Sequence, residues 1–168
     1  EEISHGGVGE SVSIPRLAEI FRELEESGAH NINLVTAAQF VPAVIAALDL
    51  YRPNIPIVYN SSGYESIDTL RRLEGYIDIY LPDLKYADDR LGLALSGTRD
   101  YFSMATAAIQ EMVRQVGPVQ WDGDRIKKGV IIRHLILPGF VENSLKVLDW
   151  IGDTFAPGVV LVSLMRQY

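Results

Sequence analysis

Apolar and polar positions along the chain switch repeatedly between the spacing of a helix and that of a buried strand. Between Ser13 and Gly28, apolar residues recur every three or four positions, and Ser13 and Pro15 suit the first turn of a helix. Further on, short apolar runs are bounded by glycine, proline, asparagine or aspartate. We therefore predict strands at residues 31–36, 55–59, 76–81, 129–137 and 159–164, and helices at 40–51, 67–73, 88–95, 101–116 and 141–155.

The order of these elements predicts the fold class. Strands that alternate with helices pair in parallel through right-handed crossovers, and short apolar strands are typical of a sheet covered by helices. The pattern therefore predicts an α/β fold with a parallel sheet, either open or closed into a barrel. No strand precedes the first helix, which we interpret as a missing opening strand. Residues 121–124 are predicted to form a turn.

Composition narrows the classes of function. The 168 residues carry a formal net charge of −7, which disfavours general binding to nucleic acid or to an anionic membrane. No apolar run approaches the ~20 residues of a membrane helix, and no secretory signal is visible. The sequence contains no cysteine, so it offers no disulfide, thiolate nucleophile or thiolate metal ligand. We therefore expect one globular domain over residues 1–168, in the cytoplasm.

Charged residues lie where a parallel sheet would place a ligand, at the carboxyl ends of its strands. Asp83 and Lys85 follow a predicted strand, and their spacing puts both side chains on one face. They could hold a ribose hydroxyl and a carboxylate, or form only a local ion pair. Arg133 lies in an apolar strand, so it must face either a ligand anion or an internal carboxylate. Its neighbour His134 faces the other way, as a hydrogen-bonded core histidine.

Two loops rich in small residues are further candidates. Asn60, Ser61 and Ser62 follow another predicted strand and could offer polar groups to a sugar or an ion, or form an ordinary turn with a serine N-cap. The glycine-rich stretch at residues 5–9 is not a nucleotide-binding fingerprint. No strand precedes it, and Val12 stands where the third glycine would be. We expect a flexible loop there.

Four segments, in order along the chain, resemble a branch of the radical S-adenosylmethionine superfamily. They are residues 28–36 (GAHNINLVT), 59–65 (YNSSGYE), 76–86 (YIDIYLPDLKY) and 133–139 (RHLILPG). The branch is the one similar to pyruvate formate-lyase activating enzyme. In that family a C-x-x-x-C-x-x-C loop holds a [4Fe–4S] cluster. The resemblance implies that this sequence starts just after that loop and stops before its relatives end, so that the domain is truncated at both ends.

The resemblance also implies a fold, cofactors and a reaction. The fold is a partial (β/α)6 TIM-like barrel with parallel strands, here without its first strand. The cofactors are S-adenosylmethionine and a [4Fe–4S] cluster whose ligands are absent from this chain. Enzymes of the family cleave S-adenosylmethionine reductively to a 5′-deoxyadenosyl radical, which takes a hydrogen atom from the substrate. Activation of a glycyl-radical enzyme, a protein substrate, is their best-known task. We expect this chain to be inactive alone.

The site residues implied by the resemblance bind S-adenosylmethionine. Thr36 matches the loop that meets the methionine amino group, and Asn60, Ser61 and Ser62 match the loop near the ribose. Asp83 and Lys85 match a D-x-K pair that contacts the ribose and the methionine carboxylate. Arg133 matches a barrel arginine near the same site.

Two other functions remain open for the same residues. A barrel similar to Schiff-base aldolases would use Lys85 as its nucleophile, and borohydride trapping of a carbonyl substrate would favour it. A non-catalytic module would bind a nucleoside or a protein partner at the barrel mouth. S-adenosylmethionine binding without cleavage, in a longer version that carries the cluster, would favour the module.

Overall fold

The computed structural model describes residues 10–166, and the glycine-rich stretch at residues 5–9 lies outside this part. Its strands are β1 (Ile32–Val35), β2 (Ile57–Ser61), β3 (Ile79–Pro82), β4 (Gln120–Asp122), β5 (Arg125–Leu135) and β6 (Val160–Met165). Its helices are α1 (Ile14–Glu26), α2 (Val41–Leu50), α3 (Ile67–Arg72), α4 (Asp89–Ser96), α5 (Tyr101–Val116) and α6 (Val141–Thr154). Every strand and helix predicted from the sequence is present, with small shifts at the ends.

The strands form one mostly parallel sheet in the order β1-β2-β3-β5-β6. Helices separate the parallel neighbours along the chain, as a parallel sheet requires. Within residues 10–166, β1 and β6 pair with no second parallel neighbour, so the sheet does not close on itself. The predicted α/β class is confirmed, and the open sheet is that of a partial barrel.

One strand departs from the parallel arrangement. The sequence predicts only a turn at residues 121–124, but Trp121 lies in β4, which pairs antiparallel with the start of β5. Gly123, with φ +62°, makes the tight reversal between the two strands. The predicted turn is present at Gly123 and Asp124, but the prediction missed β4 on one side of it and the first four residues of β5 on the other. The residues of β4 and the first residues of β5 are mostly exposed, so the sequence pattern does not indicate a hairpin there.

The two faces of the sheet have different surroundings. Side chains such as Ile57, Tyr59 and Val130 face the helices and are fully buried, because α2, α3, α5 and α6 cover that side. In β1, Asn33 and Val35 alternate with the more buried Ile32 and Leu34 and remain exposed. The other face therefore lines the open inner side of the partial barrel, where polar side chains can meet a ligand.

Local sequence signals start several helices. The hydroxyl of Ser13 accepts a hydrogen bond from the Arg16 N–H, which confirms the predicted N-cap of α1. Ser66 and Asp88 cap α3 and α4 in the same way. In the part of the chain that the structure describes, no helix combines the length and the apolar character needed to cross a membrane.

Candidate functional site

The carboxyl ends of β3 and β5 meet at Asp83 and Arg133. The two residues form a parallel bridge just beyond β3, and the Leu84 N–H donates to the Arg133 carbonyl at 2.8 Å. On the other side, the Asp83 N–H donates to the Ser61 carbonyl at 3.1 Å. Backbone pairing therefore continues for one residue beyond β3 and fixes the position of the Asp83 backbone.

The polar side chains on the inner face form a contiguous cluster. Arg133 Nη2 lies 2.7 Å from Asp83 Oδ1, and Lys85 Nζ lies 3.7 Å from Asp83 Oδ2. Arg133 Nη2 also donates to Asn60 Oδ1 at 2.8 Å. The structure thus brings Asn60, Asp83, Lys85 and Arg133 together. Their charges are one negative and two positive, so the cluster has a surplus positive charge that suits a ligand carboxylate.

The cluster keeps unused hydrogen-bonding capacity. Asp83 Oδ1 and Arg133 Nε are buried and make no hydrogen bond to the described residues. The 2.7 Å approach of Arg133 Nη2 to Asp83 Oδ1 is therefore an electrostatic contact, not aligned for N–H donation. A buried polar atom without a hydrogen bond is costly; the guanidinium at 2.7 Å compensates Asp83 Oδ1 electrostatically, whereas Arg133 Nε has no such contact.

A cavity of about 310 Å³ adjoins the cluster. It is lined by Asp83, Lys85, Tyr86, Leu135, Leu137 and Met165. This size falls in the range of small-molecule sites, which are mostly apolar with a few converging polar groups. The lining has that character, since it combines one charged pair with aliphatic and aromatic side chains.

Other candidate residues lie around this cluster rather than in it. Ser61 is buried and alternates with Asn60 along β2, so its side chain points to the helices, where its hydroxyl accepts from the Gly63 N–H at 3.2 Å. Ser62 is exposed in the loop after β2. Thr36 is exposed after β1, and its N–H donates to the Asn60 carbonyl at 2.9 Å. Thr36 has φ +53°, an unusual conformation for a β-branched residue and one often found at ligand sites.

Two buried polar residues on the helix side are structural. His134 Nδ1 lies 2.6 Å from the Leu84 carbonyl and Nε2 lies 2.8 Å from the Ser144 hydroxyl, which confirms the predicted core histidine. Glu65 is also buried, and desolvation raises the pKa of its carboxyl although the carboxylate accepts a hydrogen bond from the Tyr59 hydroxyl at 3.3 Å. Burial likewise raises the pKa of the Tyr59 hydroxyl.

Two residues that contact the Asp83–Lys85 segment were missed by the sequence analysis. They are Tyr101 at the start of α5 and Asn143 in the first turn of α6. Both are far from Asp83 in the sequence, and both look like ordinary helix residues. No periodicity or motif distinguishes them, so only the folded arrangement reveals the contact.

An iron–sulfur cluster does not fit the side chains of this chain. The sequence has no cysteine, and in the described residues no group of three or more histidine, aspartate and glutamate side chains could hold a metal ion. Any such cluster needs ligands from outside this sequence. The chain does offer a carboxylate oxygen, Asp83 Oδ1, and a guanidinium nitrogen, Arg133 Nε, that make no hydrogen bond to the described residues, and a polar ligand such as S-adenosylmethionine would supply partners for such atoms.

Comparison with known proteins gives one sequence relative and several structural ones. An uncharacterized protein of Methanocaldococcus jannaschii is 28% identical over 127 residues, which are 75% of this chain and 33% of that protein. No protein-family model matches the chain. The chain thus spans about a third of the length of the relative.

The structural neighbours have low sequence identity but similar folds. Streptococcus suis SuiB bound to S-adenosylmethionine superposes with a TM-score of 0.61 at 14% identity, over 95% of this chain and 35% of SuiB. Methylornithine synthase (PylB) superposes with a TM-score of 0.61 at 16% identity, over 94% of this chain and 45% of the synthase. SuiB with its precursor peptide SuiA gives 0.62 at 14% identity, over 86% of this chain and 31% of SuiB. The chain therefore has the partial-barrel fold of SuiB and methylornithine synthase.

Proposed function

We propose that this chain is the S-adenosylmethionine-binding barrel of a radical S-adenosylmethionine enzyme. The observation that carries the proposal is the cluster of Asn60, Asp83, Lys85 and Arg133 beside a cavity at the carboxyl ends of β2, β3 and β5. The fold shared with SuiB, a protein with a structure bound to S-adenosylmethionine, supports the same ligand. The proposed compartment is the cytoplasm.

Each residue of the cluster has a defined task in this proposal. The Asp83 carboxylate accepts hydrogen bonds from ribose hydroxyls, while Lys85 and Arg133 offer cations to the methionine carboxylate. Asn60 holds the guanidinium of Arg133 in place through its 2.8 Å hydrogen bond. Thr36 and Ser62 contribute through backbone and hydroxyl groups of the loops after β1 and β2, and Ser61 contributes only through its backbone, because its hydroxyl faces the helices.

The reaction class follows from the cofactor, and the substrate is a separate question. S-adenosylmethionine supplies a 5′-deoxyadenosyl radical in enzymes of this class, and the chain's own residues bind it and shield it from water. Because the chain lacks cluster ligands, we expect no reductive cleavage of S-adenosylmethionine by it alone. A precursor peptide is bound to SuiB in one structure. A peptide or protein substrate is therefore proposed, and the finer proposal is activation of a glycyl-radical enzyme.

Calorimetric titration of the chain with S-adenosylmethionine tests the binding role. We expect binding by the wild type and a loss of affinity of about 10-fold or more in Asp83→Asn and Lys85→Gln, since each removes a charged partner of the ligand. Lys127→Gln is the matched control, because Lys127 forms a comparable ion pair with Asp122 at 3.3 Å on the exposed hairpin. Equal affinities in all variants would contradict the proposal. Borohydride trapping of a carbonyl compound on Lys85 would instead support the Schiff-base alternative.

A further inference from the structure

The segment that carries Asp83 and Lys85 is irregular, yet buried side chains hold its backbone. Residues 84–86 belong to no helix or strand. His134 contacts the Leu84 carbonyl from β5, as described above. Two further side chains, Tyr101 and Asn143, hold the backbone on either side of Lys85.

Tyr101 connects the loop after β2 to the loop after β3. Its hydroxyl donates a shared hydrogen bond to the carbonyls of Ser62, at 2.9 Å, and Asp83, at 3.0 Å. The same oxygen accepts from the Lys85 N–H at 3.1 Å. Tyr101 is buried, and its ring packs edge-on against Tyr86 with centroids 5.1 Å apart. Tyr101 therefore joins the two loops, in addition to the backbone hydrogen bond between the Asp83 N–H and the Ser61 carbonyl.

Asn143 holds the next part of the same segment from α6. Its Nδ2 donates to the Lys85 carbonyl at 2.9 Å, and its Oδ1 accepts from the Ala87 N–H at 2.8 Å. The amide spans the two backbone groups as an adjacent strand would. Asn143 is buried and both hydrogen bonds are partly buried, so losing its amide would leave two backbone groups with reduced access to water as a substitute partner.

We propose that Tyr101 and Asn143 are positioning residues for S-adenosylmethionine binding. Neither residue hydrogen-bonds to the side chain of Asp83 or Lys85. Both instead hold the backbone from which those side chains project. A ligand then meets a pair of charges that is already placed, and binding does not have to order the loop. This inference rests on the function proposed above.

The closing experiment compares three variants of the whole chain. Tyr101→Phe keeps the buried ring and removes only the hydroxyl, and Asn143→Leu keeps the volume and removes both hydrogen bonds. Tyr80→Phe is the matched control, because the hydroxyl of buried Tyr80 donates to Gln115 Oε1 at 2.6 Å on the helix side of β3, away from the cluster. Each protein is titrated calorimetrically with S-adenosylmethionine, and amide exchange of Lys85 is followed by NMR.

We expect Tyr101→Phe and Asn143→Leu each to weaken binding about 5-fold to 30-fold, with unchanged affinity in Tyr80→Phe. The Lys85 amide should exchange faster in Tyr101→Phe than in Tyr80→Phe. Wild-type affinity in both test variants, or an equal loss in the control, overturns the inference. If the wild type itself does not bind, the proposed function fails. In that case the exchange of the Lys85 amide still tests the positioning role. Faster exchange in Tyr101→Phe would support that role, and an unchanged exchange rate would overturn the inference.

Discussion

Replacing Asp83 by asparagine should lower the free energy of unfolding, mainly because the ion pair with Arg133 is lost. The two side chains are 19% and 25% exposed, so their ion pair is screened less than a surface pair and more than a core pair. Exposed pairs contribute about 0.2–1 kcal/mol, and breaking a fully buried pair costs about 3–5 kcal/mol. We therefore expect Asp83→Asn to lower the free energy of unfolding by about 2 kcal/mol, or about 4–8 °C in melting temperature for a chain of this size.

A double-mutant cycle isolates the pair from the other effects of the substitution. The cycle combines Asp83→Asn with Arg133→Met, and a parallel cycle combines it with Lys85→Gln. Lys85 is 40% exposed and its Nζ lies 3.7 Å from Asp83, against 2.7 Å for Arg133. We expect a coupling energy of about 1–2 kcal/mol with Arg133 and below about 0.5 kcal/mol with Lys85.

Urea unfolding at neutral pH and low salt measures all four corners of each cycle. A coupling with Arg133 below about 0.5 kcal/mol would refute the reasoning, because it would mean that the close approach stabilises nothing. An equal coupling with Lys85 would also refute it, since distance and burial would then not rank the two pairs.

Three further predictions concern the surroundings of the cluster. Gly63→Ala should lower the melting temperature and abolish ligand binding, because a Cβ would lie 1.9 Å from the Asp83 carbonyl oxygen; Gly75→Ala, also at positive φ but in open space, should cost only about 1 kcal/mol in a melting experiment. Leu84→Ala should lower the free energy of unfolding by about 2–5 kcal/mol in urea, because the side chain is fully buried. Glu65→Gln should change the pH dependence of melting. Because the pKa of this buried carboxyl is raised, the folded protein binds the proton of Glu65 more tightly than the unfolded chain does. The contribution of Glu65 to the free energy of unfolding therefore falls as the pH rises from the pKa in the unfolded chain through the pKa in the folded protein. The stability of Glu65→Gln relative to the wild type should therefore increase over that window, and a constant difference would contradict the burial effect.

The helices and parallel strands were predictable because their signals are local. Helix α5 begins at Tyr101 and ends at Val116, as its apolar spacing and Gly117 indicate. The hairpin of β4 was not predictable, since Trp121 and its neighbours are exposed and show no alternation of buried and polar residues. Strand pairing there depends on the partner strand rather than on local sequence.

The site was predictable only in part, for a similar reason. The spacing of Asp83 and Lys85 places both at a strand end, and an arginine in an apolar strand needs a charged partner. These rules lead to the contacts that the structure shows, but they do not distinguish a ligand site from an ion pair. Tyr101 and Asn143 act through backbone groups of a distant loop, and no pattern in the sequence marks such contacts.

An NMR titration of the isotopically labelled chain with S-adenosylmethionine tests the central claim most directly. We predict saturable shifts of backbone amides at Asn60, Asp83, Lys85 and Arg133, which form the cluster beside the cavity that Asp83 and Lys85 line. No saturable shifts, or shifts centred on the hairpin around Trp121 at the opposite end of the sheet, would contradict it.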